Sequence, residues 1–281
     1  MQLPEVETGL LDGTWPFAKV GQGDRILVVF PGIHDALQDV TISPKLAAWF
    51  CRALGAGRTV YLLSRRHELP KGFSVHDMAI AYHQVIGAHF ERPDVLGISM
   101  GSGIAQEYAA EFPDRVDRLV LATAGCRLSP DTRPICQGWR DLAQRGAWRE
   151  LYLDLIDHAY GRARREVFEA MLSKSDDAFA TGSSVANDFI VSVEACMGFD
   201  TTERVSGIRA PTLVIGGMDD ALMPASALRE LAERIPRATL KLFERAGHGV
   251  FEERKEHFDQ AIIEFLDDEE PVAEQDRPIS K

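Results

Sequence analysis

Val95-Leu96-Gly97-Ile98-Ser99-Met100-Gly101-Ser102-Gly103 is the stretch that decides the fold. The apolar run from Pro93 to Ile98 reads as a strand and Ser99 to Phe112 has helical spacing, so the serine stands where a strand turns into a helix. A turn that tight needs small residues two places to either side of Ser99. Gly97 and Gly101 meet that need, and Gly103 lets the helix approach the sheet. The same turn lifts the hydroxyl clear of the sheet and aims the N–H of Met100 toward a developing oxyanion. Gly-x-Ser-x-Gly also occurs by chance; the strand-to-helix junction gives it chemical weight.

Strand–helix alternation extends on both sides. Arg25 to Phe30 is an apolar run bounded by Gly21-Gln22-Gly23 and Pro31-Gly32, as a strand buried on both faces should be. Thr14 to Val20 is expected as its antiparallel neighbour across the glycine-rich turn. Ser43 reads as the N-cap, and Pro44 as the first residue, of a helix to Ala56. Strands follow at Thr59–Leu63 and Val116–Ala122, with a helix over Ser74–Phe90. From Gly125 to Gly207 the segments are helical instead: Gly138–Trp148, Arg149–Tyr160, Arg162–Ser173 and Ser184–Met197. Alternation resumes with strands at Pro211–Ile215 and Thr239–Phe243 and helices at Pro224–Ile235 and Val250–Leu266. The expectation is an α/β fold: a mostly parallel sheet flanked by helices, with right-handed crossovers. Residues 1–125 and 205–266 would form the core. Residues 126–204 would form a helical cap over the carboxyl ends of the strands, where open α/β sheets bind ligands.

A serine hydroxyl is a poor nucleophile at neutral pH, so it needs a base, and the base needs an orienting acid. Ala246-Gly247-His248-Gly249 follows the last strand, and its glycines leave the imidazole unhindered. Asp219 and Asp220 follow the preceding strand; Asp220 is the preferred acid and Asp219 the solvated neighbour. The order Ser99, Asp220, His248 is the one that accompanies a strand-to-helix nucleophile. A second oxyanion donor is expected from the loop Phe30-Pro31-Gly32-Ile33-His34-Asp35, at the Ile33 amide. His34 in that loop either lines the substrate pocket or orders its own loop. The cap aromatics and Met197 (Trp139, Trp148, Tyr152, Phe168, Phe179, Phe189) either line a pocket or form the cap's own core.

The chain has 281 residues, 45% hydrophobic and 26% charged, enough for a packed core and too apolar for general disorder. Its net charge of −12 argues against nucleic acid or an anionic membrane as partner. Six acids against two bases fall in Asp267–Lys281, expected to be a disordered acidic tail. No stretch approaches a membrane span and no secretory signal opens the chain. Cys51, Cys126, Cys136 and Cys196 lack metal-ligand spacing and read as reduced thiols, so a cytoplasmic location is expected. No metal, nucleotide or flavin motif appears; no cofactor is expected, and the partner is a small-molecule substrate.

These passages resemble the α/β-hydrolase superfamily, in its capped, cofactor-free branch of esterases, C–C hydrolases and haloperoxidase-like enzymes. The likeness runs from about Leu11 to Leu266. It is carried by Val95–Ala110 with Phe112-Pro113-Asp114-Arg115-Val116, by Ile208–Asp220, and by Gly247-His248 with Phe251. The resemblance implies Ser99 as nucleophile, His248 as base, Asp220 as orienting acid, and the Met100 and Ile33 amides as oxyanion donors. Three features depart from the family pattern. Pro31-Gly32 replaces the usual His-Gly, and Ser102 replaces a frequent glycine and is expected on the helix surface. Ser64–Ser74 replaces an Arg-Gly-x-Gly-x-Ser turn, and there Arg65 and Arg66 would bind an anionic group or lie on a solvated face. A serine nucleophile disfavours dehalogenase and epoxide hydrolase activity, which use a carboxylate, and the Gly-Gly-Ser-Trp-Gly elbow of proline iminopeptidases is absent. The leading expectation is hydrolysis of a small carboxylic ester, thioester or lactone. C–C bond hydrolysis of a β-diketone-like substrate and a non-catalytic ligand receptor are the alternatives.

Overall fold

The computed structural model describes residues 3–160, 166 and 183–268. Eight strands form one sheet in the order β1-β2-β4-β3-β5-β6-β7-β8. They are β1 (Val6–Leu11), β2 (Trp15–Val20), β3 (Ile26–Phe30), β4 (Thr59–Leu63), β5 (Asp94–Ile98), β6 (Leu119–Ala122), β7 (Thr212–Gly217) and β8 (Ala238–Phe243). From β4 to β8 every pairing is parallel; β1 with β2 and β2 with β4 are antiparallel. The parallel strands β5, β6 and β7 are buried at every position, which is why they read as continuous apolar runs.

Helices α1 (Pro44–Cys51), α2 (Val75–His89), α3 (Met100–Glu111), α7 (Ala225–Arg234), α8 (Val250–Glu253) and α9 (Lys255–Asp267) accompany the sheet. On one face Tyr82 of α2 stacks on Phe30 of β3 at 4.2 Å between ring centroids, and Tyr108 and Leu228 join the same core. On the other face Phe50 of α1 and Phe258 and Ile262 of α9 pack against Val29, Leu96 and Val120. Between β6 and β7 the chain inserts α4 (Thr132–Gln144), α5 (Trp148–Tyr160) and α6 (Ser183–Gly198), with their own small core around Trp139, Leu151 and Phe189. The helix expected over Arg162–Ser173 lies, but for Glu166, outside the described residues.

Several expectations are corrected. Strand β2 does not pair with β3; β4 lies between them. Gly21-Gln22-Gly23 is not a hairpin turn but a crossing over the start of β4. A Cβ on Gly21 would fall 2.4 Å from the Arg58 carbonyl oxygen and one on Gly23 2.5 Å from that of Gly57, so glycine serves close backbone approach here. The first helix ends at Cys51 rather than Ala56, and Arg254 divides the last into α8 and α9. Asp267, expected in the tail, instead closes α9 and pairs with Arg25 at 3.1 Å and with buried Arg58. Residues 269–281 lie outside the described part. Among the described residues, no helix is long and apolar enough to cross a membrane.

Candidate active site

Ser99 sits between the end of β5 and the first residue of α3 with φ 53° and ψ −118°, a left-handed backbone that a side chain rarely adopts. The surrounding glycines make that turn fit. A Cβ on Gly101 would lie 2.0 Å from the Phe30 carbonyl oxygen, and one on Gly97 2.6 Å from the Gly101 carbonyl oxygen. Ser102, expected on the helix surface, is fully buried, and its hydroxyl reaches the carbonyls of Gly97 at 2.7 Å and Ala122 at 2.8 Å. It ties the turn to β5 and β6, a role glycine lacks the atoms to perform.

The loop after β8 brings His248 to this turn. Its Nε2 lies 2.8 Å from Ser99 Oγ, and its Nδ1 lies 2.8 Å from Asp220 Oδ2. With the carboxylate accepting from Nδ1–H, Nε2 is left to accept from the serine hydroxyl. The other oxygen of Asp220 accepts from the amides of Leu222 and Met223, both at 2.8 Å, so the carboxylate is held in a fixed plane. Asp220 and His248 are buried and Asp219 is exposed, which places Asp220 in the line and Asp219 outside it. Gly249 marks where an inserted helix seats: a Cβ there would fall 2.1 Å from the Tyr160 ring of α5.

On the far side of Ser99, the loop after β3 passes close enough that a Cβ on Gly32 would be 3.5 Å from Ser99 Cβ. Ile33 opens a 3₁₀ turn (Ile33–Ala36) and Met100 opens α3, so neither amide is needed by a carbonyl one turn back. Arg65 fixes this loop. Its guanidinium donates to the carbonyls of Pro31 at 3.1 Å and Gly32 at 3.0 Å and lies 3.5 Å from the Asp35 carboxylate. Because C=O and N–H of a trans peptide point oppositely, pinning the Gly32 carbonyl sets the direction of the Ile33 N–H. Asp35 in turn accepts from Ser64 Oγ at 2.5 Å and the Arg65 amide at 3.0 Å. Arg65 is thus not a solvated charge: it is buried, and its guanidinium is taken up by loop carbonyls and the Asp35 carboxylate, whereas Arg66 is exposed. Sequence inspection misses this because a loop arginine carries no sign of which way it points. The loss of the usual turn glycines was the one available signal.

Ser99, Met100, His248 and the Pro31–Asp35 loop line a cavity of about 720 Å³. Trp139 and Tyr152 of the insertion reach it, as do Cys136 and Cys196; Trp148, Phe189 and Met197 pack within the insertion instead. Phe168 and Phe179 lie outside the described residues. His34 faces the cavity, and its Nε2 bonds the Tyr152 hydroxyl. The ring is open to the cavity, and the protein packed around it, with Arg65 nearby, lowers the pKa of His34 to about 4.

A parallel sheet with a serine turned out of it, a histidine loop after its last strand and helices inserted after β6 define an α/β hydrolase. Residues 54–255 match the Hydrolase_4 family model, described as serine aminopeptidase, S33, and the chain belongs to that family. It is 27% identical over 260 residues to a pimeloyl-[acyl-carrier protein] methyl ester esterase of Chromobacterium violaceum, covering 88% of this chain and 96% of that one. A 2-hydroxy-6-oxononadienedioate/2-hydroxy-6-oxononatrienedioate hydrolase of Paraburkholderia phymatum is 30% identical over 182 residues, covering 63% of this chain and 62% of that one. The crystal structure of the enol-lactonase from Burkholderia xenovorans LB400 superposes with a TM-score of 0.73 at 20% identity, over 93% of this chain and all of that one.

Proposed function

We propose that this α/β hydrolase is a serine hydrolase that cleaves small carboxylic esters, thioesters or lactones through an acyl-enzyme on Ser99. The observation that carries the reading is the unbroken line from Ser99 Oγ through His248 to Asp220, with 2.8 Å at both contacts. Ser99 attacks the carbonyl carbon while His248 Nε2 takes its proton. The Met100 and Ile33 amides stabilise the oxyanion. On collapse the bond to the leaving group breaks, and His248 returns the proton to the departing alkoxide or thiolate. Water, deprotonated by His248, then attacks the acyl carbon, releasing the acid and restoring the serine hydroxyl.

In this reading Asp220 holds the Nδ1–H tautomer, Arg65 positions the oxyanion loop, and residues 126–204 act as the cap that closes the cavity over Ser99. Arg65, held by the Pro31 and Gly32 carbonyls and the Asp35 carboxylate, is not available to bind an anionic substrate. A pure receptor has no need of an aligned base and acid behind its serine. The test is a panel of chromogenic esters of graded acyl length, with product analysis, run beside Ser99→Ala. Hydrolysis by the wild type that the variant loses supports the reading; equal hydrolysis by both contradicts it.

A further inference from the structure

The side chain of His248 is held at Ser99 and Asp220, but its place depends equally on the loop that carries it. That loop runs from Glu244 to Gly249, and the glycines flanking the histidine leave it little stiffness of its own. Arg245 enters it with φ 54°, a left-handed backbone that a side chain rarely adopts. Such a segment keeps one shape only where the surrounding structure claims its polar backbone groups.

Two adjacent residues beyond the histidine make that claim. The Gly247 amide, immediately before His248, donates to Glu253 Oε2 at 2.7 Å. The amide of Glu253 itself donates to the carbonyl of Gly249, immediately after His248, at 2.9 Å. Glu253 thus bonds the backbone on both sides of the base. Arg254 donates to the carbonyls of Glu244 at 3.1 Å and Arg245 at 3.0 Å, and so secures the strained entry. Backbone groups add two ties: the Asp219 amide donates to the Ala246 carbonyl at 2.9 Å, and the Gly249 amide to the Ala159 carbonyl at 3.0 Å. The neighbouring Glu252 lines the cavity and accepts from the Tyr160 hydroxyl at 2.7 Å, whereas the Glu253 carboxylate turns to the loop.

In an acyl-enzyme reaction the base takes up a proton and returns it twice per turnover, so an error in its position is felt at every step. A displacement of about 1 Å costs about a hundredfold in rate. We propose that Glu253 is a positioning residue for the catalytic base: through the Gly247 amide it sets where His248 Nε2 stands relative to Ser99 Oγ. Arg254 supports it from the entry of the loop. This rests on Ser99 and His248 acting as nucleophile and base. What position 253 supplies is a hydrogen-bond acceptor at the right reach, and its charge is secondary.

The test compares Glu253→Ala, Glu253→Gln and Glu253→Asp with the wild type in three readouts: hydrolysis of one chromogenic ester, the rate at which a fluorophosphonate labels Ser99, and the low-field proton resonance of His248 Nδ1–H. Glu253→Ala is expected to lower kcat and the labelling rate together by about ten- to a hundredfold, with KM little changed, and to shift or broaden the resonance. Glu253→Gln, whose amide oxygen can accept from Gly247, restores both rates and the resonance to near wild type. Glu253→Asp keeps the charge but draws the oxygen back by one methylene, and falls below Glu253→Gln. Wild-type rates in folded Glu253→Ala overturn the proposal, as does a loss that Glu253→Gln fails to restore. A lowered Tm with an unchanged resonance also overturns it, because Glu253 then serves stability alone. Should Glu253→Ala fail to fold, the order of Glu253→Gln and Glu253→Asp decides, and the reverse order contradicts the proposal. A wild type that neither hydrolyses nor labels points to a failed Ser99 reading, and the resonance in the variants still reads the positioning of His248.

Discussion

His248 Nε2 lies 2.8 Å from Ser99 Oγ although 149 positions separate the two residues. Two loops at the carboxyl ends of β5 and β8 create that contact, and the parallel sheet between them fixes their spacing. The contact therefore depends on the sheet and on the groups that hold the two loops in place.

Asp220→Asn should leave the fold intact and lower kcat for ester hydrolysis by about three to four powers of ten, because the amide no longer holds the Nδ1–H tautomer of His248. Asp219→Asn, at the exposed neighbour, should fall within about twofold of wild type, as surface substitutions remote from the reacting atoms do. Steady-state kinetics of both variants on one chromogenic ester check the pair. Equal losses would mean that the carboxylate in the line is misassigned.

Arg65→Met should release the Gly32 carbonyl and let the Ile33 amide drift. The expected loss is about a hundredfold in kcat with KM little changed, as for removal of one oxyanion donor. A boronic acid, whose tetrahedral adduct places an oxygen in the oxyanion position, should bind the variant more weakly by a similar factor. A variant that lost only thermal stability would show Arg65 to be a packing residue alone.

How much of this was legible in the sequence follows from what kind of signal each element carries. Strands β5, β6 and β7 are buried on both faces, so their apolar runs betray them, and the glycines around Ser99 mark a turn that tolerates nothing larger. Partner choice within the sheet is another matter. The Gly21-Gln22-Gly23 signal is the same whether glycine makes a hairpin or lets two backbones cross, and only β4, which starts 36 residues after Gly23, decides between them. Side-chain direction is equally silent. Arg65 and Arg66 are adjacent and identical, yet one donates to the carbonyls of Pro31 and Gly32 and the other faces water. Tyr152 stood among several cap aromatics, and helical spacing alone does not say which of them turns toward the cavity.

Gly101→Ala should be strongly destabilising, because its new methyl would stand 2.0 Å from the Phe30 carbonyl oxygen, a backbone atom that cannot rotate away. A cost of about 3 kcal/mol or more, or failure to accumulate as folded protein, is expected. Urea unfolding checks it; wild-type stability would show that α3 sits farther from β3.

His34 also predicts a pH dependence. Its folded pKa of about 4 lies below the ordinary 6.5, so between those values the unfolded chain binds a proton that the folded chain refuses. Its contribution to stability is complete above pH 6.5 and is lost as pH falls toward 4. Asp94, whose pKa burial raises to about 6 from 3.8, works in the opposite sense and loses stability as pH rises between those values. The Tm of the wild type should therefore fall relative to that of His34→Gln on acidification from pH 6.5 to 4. Parallel curves would show that His34 titrates normally.

The most direct measurement is intact and peptide mass spectrometry after treatment with a fluorophosphonate, which phosphonylates only an activated serine. One adduct per chain is expected, on the peptide carrying Ser99, absent from Ser99→Ala and formed far more slowly in His248→Ala. An adduct on another residue, or none on folded wild-type protein, would contradict the account.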